Sequence, residues 1–366
     1  MLKRYLFILG RDSELSKLEL FALLNRLNIK FSINQNSKEF VVFDIDNFNS
    51  QQFINYSGGI VKIAEKIDLK NYFYEGTEKN INYGISILGN PGEEFINKTI
   101  SILKNKYHEE KLKASIKTPK FRLFAPLDIK TKSLEDFIIL NKEIYKTKTI
   151  SEPYLYKERD DKRPEKNFVV QTSIRLAKIL VNISNAKTNL LDPFCGYGTI
   201  LQEAMLNNLD VYGFELDEKV SKACIKNLEW IKSKYKLNSK FNIYNFPNSR
   251  VKRYLNPKSI DAVVTEPNMG PYFVKVPSQS KAISVMQELE RSYSILFDSL
   301  PFILKKDSLV VILIPELRSK AGKIRLNIKS IIKSSFIPLS EKYGVKLPLR
   351  IKGQVFDRYL YILKPI

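Results

Sequence analysis

Histidine, cysteine and long apolar runs are scarce in this chain of 366 residues. Its one histidine, His108, excludes a metal site built on several histidines and argues against a histidine general base. Its two cysteines, Cys195 and Cys224, cannot form a disulfide framework. No apolar run approaches the ~20 residues that a membrane-spanning helix needs. These shortages predict a reduced, cytoplasmic protein with no bound metal and no membrane span.

Acidic residues are also few relative to basic ones. The chain has 60 Lys and Arg against 39 Asp and Glu, which gives a net charge of +21. A genome poor in G and C would explain part of the lysine count but not its clustering, since residues 318–366 hold twelve basic residues and two acids. Because contacts to phosphates supply the sequence-independent part of nucleic-acid affinity, this excess predicts a nucleic-acid partner.

A glycine-rich turn between a strand and a helix is the most informative segment of the sequence. Residues 190–204 predict a buried strand that ends at Asp192, a turn that contains Gly196 and Gly198, and a helix directly after it. Glycines in such a turn allow backbone N–H groups to approach a ligand closely. A P-loop would need a lysine after the last glycine, and a dinucleotide-binding turn would need a third glycine where Leu201 stands. Neither pattern fits.

An acidic side chain follows the next predicted strand. Residues 210–217 are typical of a parallel strand that ends in acids. Glu215 lies about 20 residues after the glycine turn, where a carboxylate can accept hydrogen bonds from ribose hydroxyls. Asp217 is expected to cap a helix over residues 218–234, because Asp is favoured at that position. The two strands together indicate a nucleoside-containing ligand.

Hydrophobic periodicity and composition divide the chain into four parts. Residues 1–55 and 56–150 mix strands and helices without an evident catalytic cluster, which predicts two α+β binding modules. The charged, proline-bounded residues 151–167 predict a linker. Over residues 168–366 strands and helices alternate, which predicts a parallel sheet covered on both faces and ending in an antiparallel strand.

The segment Asp-Pro-Phe-Cys-Gly-Tyr-Gly-Thr, residues 192–199, resembles the first motif of class I S-adenosylmethionine (SAM) methyltransferases. In that family the loop wraps the methionine end of the cofactor, and the acidic residue after the second strand binds the ribose. The resemblance implies SAM as the cofactor and a Rossmann-like α/β domain with a seven-stranded, mainly parallel sheet. The cofactor-binding residues that it implies are Asp192, Phe194, Cys195, Gly196, Gly198, Thr199, Glu215, Leu216, Asn245 and Phe246.

Nearly the full length of the chain resembles the THUMP-containing tRNA guanine-N2 methyltransferases, the group that modifies guanosine 10 of tRNA. Besides the loop above, the segments Tyr5–Ser16, Arg159–Pro164 and Gln171–Leu180 carry this resemblance. It implies an N-terminal ferredoxin-like domain over residues 1–55, a THUMP-like RNA-binding domain over residues 56–150, and tRNA as the partner. A monomer is the default expectation, and in some lineages of the group a small activating subunit is needed.

The reactive site is expected after the fourth parallel strand, in residues 265–271 (Thr-Glu-Pro-Asn-Met-Gly-Pro). Enzymes that methylate exocyclic amines carry Asp/Asn-Pro-Pro-Tyr/Phe there. A carboxylate and a carbonyl fixed by proline hydrogen-bond the amine protons and aim the nitrogen at the methyl group, and an aromatic ring stacks on the base. The resemblance implies catalytic residues Glu266, Pro267 and Asn268, and substrate-binding residues Tyr272, Phe273 and Arg163.

This loop departs from the usual motif at three positions. Glu266 stands where Asp is usual, Asn268 replaces the second proline, and Met269 occupies the aromatic position. Tyr272 or Phe273 could supply the stacking surface instead. The resemblance implies methylation of the N2 amine of a tRNA guanosine, at position 10, to the mono- or dimethylated product. Two alternatives stay open: N6 methylation of adenine in RNA or DNA, and a tRNA-binding protein that retains SAM without catalysis.

Overall fold

The computed structural model describes residues 2–167, 172–339, 345–347 and 355–366, and the chain divides into two units, Met1–Leu155 and Tyr156–Ile366. Gln171, at the start of one of the segments that carry the family resemblance, lies outside the described residues. Among those described, no helix combines the length and the hydrophobicity that crossing a lipid bilayer requires.

The first unit is built on one mixed sheet. Its elements are β1 (Lys3–Leu9), α1 (Ser13–Arg26), β2 (Phe31–Asn36), β3 (Phe40–Ile45), α2 (Ser50–Tyr56), β4 (Ile60–Lys66), β5 (Asn80–Leu88), α3 (Glu93–Glu109), β6 (Lys113–Lys117), α4 (Pro126–Thr131), β7 (Leu134–Leu140) and β8 (Glu143–Ile150). Its described strands follow the order β2-β3-β1-β4-β8-β7-β5-β6. Alternate residues of β1 enter two hydrophobic clusters on opposite faces, as expected for a central strand.

This sheet crosses the boundary predicted between residues 55 and 56, because β1 pairs with both β3 and β4. The turn before β4 is held by the buried carboxylate of Glu19 on α1, which accepts hydrogen bonds from Ser57 Oγ and from the N–H groups of Gly58 and Gly59 at 2.6–2.8 Å. A Cβ on Gly59 would lie 2.8 Å from the Ser16 Cα, so only glycine fits there. The two predicted modules therefore share one continuous sheet.

The second unit alternates helices and strands along the chain. Its elements are α5 (Pro153–Lys162), which begins just before the boundary between the units, α6 (Ile174–Ile183), β9 (Asn189–Asp192), α7 (Thr199–Leu206), β10 (Asp210–Phe214), α8 (Glu218–Tyr235), β11 (Phe241–Tyr244), α9 (Val251–Tyr254), β12 (Ile260–Thr265), α10 (Gln279–Phe297), α11 (Leu300–Ile303), β13 (Leu304–Ser319), β14 (Gly322–Arg325), α12 (Ile328–Ile332), β15 (Phe336–Pro338), β16 (Val345–Leu347) and β17 (Phe356–Pro365).

The described strands of this unit form a sheet whose main path is β11-β10-β9-β12-β13-β17-β15, with the short β14 and β16 attached to β13 and β17. From β11 to β13 the pairs are parallel, and β17 is antiparallel to β13. The seven strands of that path and their orientation confirm the predicted fold class. The strand order reverses between β9 and β12, and such a switch point places a ligand crevice at the carboxyl ends of the strands.

The charged segment 151–167 is not an unstructured linker, since it contains α5. Arg159 on α5 is buried and pairs with the buried Glu203 on α7 at 2.7 Å. Glu165 is also fixed, because its N–H donates to Asn227 Oδ1 at 3.0 Å and its carbonyl accepts from Asn227 Nδ2 at 2.9 Å. The linker prediction is corrected for this reason: the charged segment contains a helix, and its Arg159 forms a buried ion pair within the second unit.

Candidate active site

The glycine turn between β9 and α7 forms an open cradle at the switch point. Gly196 and Gly198 adopt φ values of +50° and +80°, which disfavour residues with a Cβ. A Cβ on Gly196 would meet no atom within 4 Å, so this part of the turn faces open space that a ligand can fill. A Cβ on Gly198 would lie 2.7 Å from Cys224 Sγ on α8, so this glycine is needed for packing. The turn therefore fits the methionine end of SAM.

Asp192 ends β9 with a fully buried carboxylate. Its Oδ1 accepts hydrogen bonds from Thr265 Oγ1 at 2.7 Å and from the Phe194 N–H at 3.1 Å. Burial raises the pKa of Asp192 to about 7, and these two hydrogen bonds act in the opposite direction. Because Thr265 is the last residue of β12, this contact joins the predicted cofactor loop to the start of the predicted reactive loop.

Glu215 lies after β10, beside the glycine turn. Its Oε2 accepts from the Gly196 N–H at 3.1 Å and its Oε1 from the Asp217 N–H at 2.9 Å. Asn245, after β11, donates from Nδ2 to the carbonyls of Glu215 and Leu216 at 2.9 and 3.0 Å. The carboxyl ends of three parallel strands thus meet at one edge, as the sequence predicts. Asp217 caps α8 by accepting from two backbone N–H groups, which confirms that prediction.

Apolar groups lie next to this acidic position. Leu216 is 72% exposed, although it is a large hydrophobic residue. Phe246, two positions after β11, stacks on Tyr254 with ring centroids 4.9 Å apart, and the guanidinium of Arg250 lies 5.1 Å from the centre of the Phe246 ring. An exposed leucine and a supported aromatic ring beside the carboxylate of Glu215 are suited to an adenine base.

The two cysteines are close together under the glycine turn. Both are buried, and Cys224 Sγ donates to Cys195 Sγ at 3.9 Å. This hydrogen bond and burial raise the pKa of the Cys195 thiol well above its usual value. A buried thiol with a raised pKa is a poor nucleophile, so Cys195 serves packing, and Cys224 is buried against it.

Glu266, the first residue after β12, has a buried carboxylate with partners from two distant segments. Its side chain is 5% exposed. Arg358 Nη1, on β17, donates to Oε1 at 2.9 Å, and Thr172 Oγ1, just before α6, donates to Oε2 at 2.5 Å. Sequence reasoning missed both partners, which lie 92 and 94 positions from Glu266. No local signal distinguished Arg358, because Asp357 beside it and Lys364 are also charged residues of the same strand.

The rest of the reactive loop is fixed to α10. Tyr293 on α10 donates its hydroxyl hydrogen to the Asn268 carbonyl at 2.6 Å, and burial raises the pKa of Tyr293, which keeps it a donor. Asn268 Oδ1 accepts from the Gly270 N–H at 2.9 Å. Gly270 has a φ of +100°, and a Cβ there would lie 2.9 Å from Val285. This glycine therefore allows the loop to turn against the helix.

The two aromatic candidates after the turn differ in environment. Tyr272 is 80% exposed. Phe273 is half-buried and its ring centroid lies 6.1 Å from that of Phe356 on β17. An exposed ring next to the reactive loop can stack on a base, whereas Phe273 helps to hold the loop against the sheet. Of the two, Tyr272 has the better placement for substrate contact.

Arg163 lies beside the cofactor loop and not on an exposed substrate-facing surface. Its side chain is 1% exposed, its Nη1 donates to Thr199 Oγ1 at 3.0 Å, and it also pairs with Asp160. Since Thr199 is the first residue of α7, Arg163 stabilises the helix start that follows the glycine turn. The expected contact between Arg163 and substrate is corrected to this supporting position.

Comparison with known proteins gives one family model and several curated relatives. The UPF0020 model, described as an RMKL-like methyltransferase domain, matches residues 166–329. A tRNA (guanine(10)-N2)-dimethyltransferase from Methanothermobacter thermautotrophicus is 28% identical over 57% of this chain and 55% of its own length. A "Probable tRNA (guanine(10)-N2)-dimethyltransferase" from Methanothermococcus thermolithotrophicus is 30% identical over 37% of this chain and 77% of its own length.

The matched region is shorter in other relatives. The chain spans about half the length of the first of these relatives and 33% of a third, from Methanocaldococcus jannaschii, at 31% identity. Among solved structures, TrmN from Thermus thermophilus superposes with a TM-score of 0.53 over 99% of this chain and 100% of that chain, at 13% identity. At that identity the likeness shows the fold, which is that of a class I methyltransferase preceded by an N-terminal unit.

Proposed function

Because the chain belongs to the family of tRNA (guanine(10)-N2)-dimethyltransferases, we propose that it methylates the exocyclic N2 amine of a guanosine in tRNA. The observation that carries the proposal is the position of Glu266. Its buried carboxylate directly follows β12, and Asp192, which ends β9, accepts a hydrogen bond from Thr265, the residue before Glu266. A cofactor cradle and an amine acceptor therefore share one edge of the sheet.

S-adenosylmethionine is the cofactor of this fold, and the glycine cradle fits its methionine end. When bound, it would supply an electrophilic methyl group. The N2 nitrogen would gain this methyl group and lose a proton, and S-adenosylhomocysteine would be the second product. The residues proposed to hold it are those of the turn with Glu215 for the ribose hydroxyls and Leu216, Asn245 and Phe246 for the adenine. Cys195 and Thr199 support this site through packing and through the start of α7.

The loop after β12 is proposed to present the amine. The Glu266 carboxylate and the Pro267 carbonyl would accept the two amine hydrogens, which orients the nitrogen lone pair. The hydrogen bond from Tyr293 fixes the Asn268 backbone beside them. Tyr272 would stack on the guanine once it has left its helix stack.

Basic surface outside the pocket is proposed to hold the RNA backbone. Lys320, Lys329 and Lys333 are exposed in the basic C-terminal region, and a second basic stretch runs over residues 104–132 of the first unit. Contacts of lysine with phosphates fix register and orientation without reading sequence. The proposal also includes recognition of tRNA by the THUMP-like residues 56–150. In its simplest form the protein acts as a monomer in the cytoplasm.

The test is methyl transfer from labelled SAM to unmodified tRNA transcripts, followed by nuclease mapping and nucleoside mass spectrometry. The proposal expects N2-methylguanosine or its dimethyl form, located at position 10. N6-methyladenosine would contradict it and support the adenine-methylating alternative. Tight binding of SAM and tRNA without a methylated nucleoside would contradict it in favour of a binding protein, provided that cell extract does not restore activity.

A further inference from the structure

The carboxylate of Glu266 is held by protein groups that the usual amine-methylating motif does not include. Glu266 stands in place of Asp and is longer by one methylene group. Its two oxygens have different donors, Arg358 for Oε1 and Thr172 for Oε2. Since each oxygen is bound to a group on a separate segment, rotation of the carboxylate about its own axis would break a hydrogen bond. The longer side chain is thus fixed in one orientation.

The pair between Glu266 and Arg358 is buried on both sides. The two side chains are 5% and 7% exposed, with N and O atoms 2.9 Å apart. A hydrogen bond between a guanidinium and a carboxylate is stronger than one between neutral groups, and its geometry is directional. A carboxylate offers about four acceptor positions, so two bound donors do not by themselves exclude a third. The arrangement can therefore orient Glu266 and still let it accept a hydrogen from a substrate amine.

Strand β17 carries two separate charged networks on neighbouring residues. Arg358 lies opposite Pro315 of β13, and its side chain reaches Glu266. Asp357 lies opposite Glu316 and pairs with Arg318 at 2.9 Å and with Lys323 at 3.1 Å. Because side chains alternate along a strand, Arg358 points away from the network of Asp357. Of these two charged residues, Arg358 is the one whose side chain reaches the carboxylate of the reactive loop.

We propose that Arg358, assisted by Thr172, is the positioning residue that sets the orientation of the Glu266 carboxylate toward the guanine amine. The proposal rests on the proposed function and deepens it. It also explains the motif variant: the extra methylene of Glu266 lets its carboxylate reach an arginine on the last strand. In this account Arg358 touches neither substrate nor cofactor and acts through Glu266 alone.

The test is a double-mutant cycle with Glu266→Gln, Arg358→Met and both changes together. Arg358→Met is expected to lower kcat by about 10²-fold, as a misplaced reactive group does, with the KM for tRNA and the Kd for SAM little changed. In the Glu266→Gln background Arg358→Met should cause little further loss of kcat. Arg358→Lys, which keeps the charge, should recover part of the activity, and Thr172→Val should lose less than Arg358→Met.

Arg318→Met is the matched control, because it removes an ion pair of Asp357 from the same pair of strands. It is expected to lower stability without changing kcat. Arg358→Met alone leaves the buried Glu266 carboxylate without its cation and so could be unstable. In that case the double variant Glu266→Gln/Arg358→Met, which removes both charges, is used, and its kcat is compared with that of Glu266→Gln. The proposal would be overturned if the loss of kcat in the double variant equalled the product of the two single losses. It would also be overturned if Arg358→Met kept the wild-type kcat.

Failure of the proposed function gives a different pattern. Wild-type protein that methylates no tRNA nucleoside would contradict the proposed function, whatever the variants do. The same cycle measured by thermal unfolding then still tests the pair: non-additive changes in Tm are expected, and additive changes would overturn the coupling of Arg358 to Glu266.

Discussion

At the scale of single residues, Asp192 holds its proton more tightly in the folded protein than in the unfolded chain. Burial raises its pKa from 3.8 to about 7. Between about pH 4 and 7 the folded state binds more protons, so the free energy of unfolding should fall as the pH rises, by roughly 4 kcal/mol in total. Asp192→Asn keeps an oxygen acceptor for Thr265 and should abolish this fall. Urea unfolding of both proteins across this pH range measures it.

Asp261 provides a control of opposite sign. Although burial opposes the change, hydrogen bonds from Lys305 and Thr188 lower its pKa to about 2. Its stabilisation is present above the unfolded pKa and is lost as the pH falls through the folded one, so Asp261→Asn should differ from wild type most at neutral pH. For Asp192, stability curves of the wild type and of Asp192→Asn that run parallel from pH 4 to 7 would contradict a raised pKa of this carboxyl group.

At the scale of elements, the turn between β9 and α7 assigns different tasks to its two glycines. Gly196→Ala places a methyl group in open space, so only the positive φ costs stability, about 1–2 kcal/mol. Gly198→Ala adds a contact of 2.7 Å with Cys224 and should destabilise more. Thermal unfolding without ligand should rank them in that order. Calorimetry should show that the folded Gly196→Ala protein loses SAM affinity, because its methyl group fills the cradle.

The second unit could be predicted largely from sequence, whereas its long-range partners could not. Asp192, Glu215 and Glu266 each end or follow a strand, and parallel strands bring such positions to one edge. The contact of Arg358 with Glu266 depends on which strand closes the sheet, and local periodicity carries no information about that. For the same reason the helix over residues 153–162 was not predicted, because its Arg159 pairs with Glu203 on a helix distant in sequence.

The first unit shows the same limit in its sheet. Its strands could be recognised one at a time, but the sequence suggested a boundary after residue 55. The pairing of β1 with β4 joins residues as far apart as Tyr5 and Glu65, and the bonds of Glu19 to the turn at residues 57–59 span up to 40 positions. Such pairings are decided by packing of whole elements, so the start of a second helix-and-strand block at Gly58 and Gly59 was mistaken for a domain boundary.

At the scale of the whole molecule, the net charge of +21 predicts that the proposed binding of tRNA depends on salt. If about six phosphates are contacted, the affinity for tRNA should fall by about 10³-fold between 50 and 200 mM salt. SAM binding, which depends on a local cradle, should change little over the same range. Filter binding of tRNA and calorimetry of SAM at matched salt concentrations compare the two. Equal salt dependence of both ligands would contradict electrostatic tRNA binding.

The most direct measurement is the initial rate of N2-methylguanosine formation in unmodified tRNA by wild type and by Glu266→Gln, with SAM and tRNA affinities measured on the same preparations. The account predicts N2-methylguanosine from the wild type and a rate lowered by about 10²-fold or more in Glu266→Gln, with both affinities retained. An equal rate in the variant would contradict the role of Glu266, and a wild type that forms no N2-methylguanosine would contradict the proposed function itself.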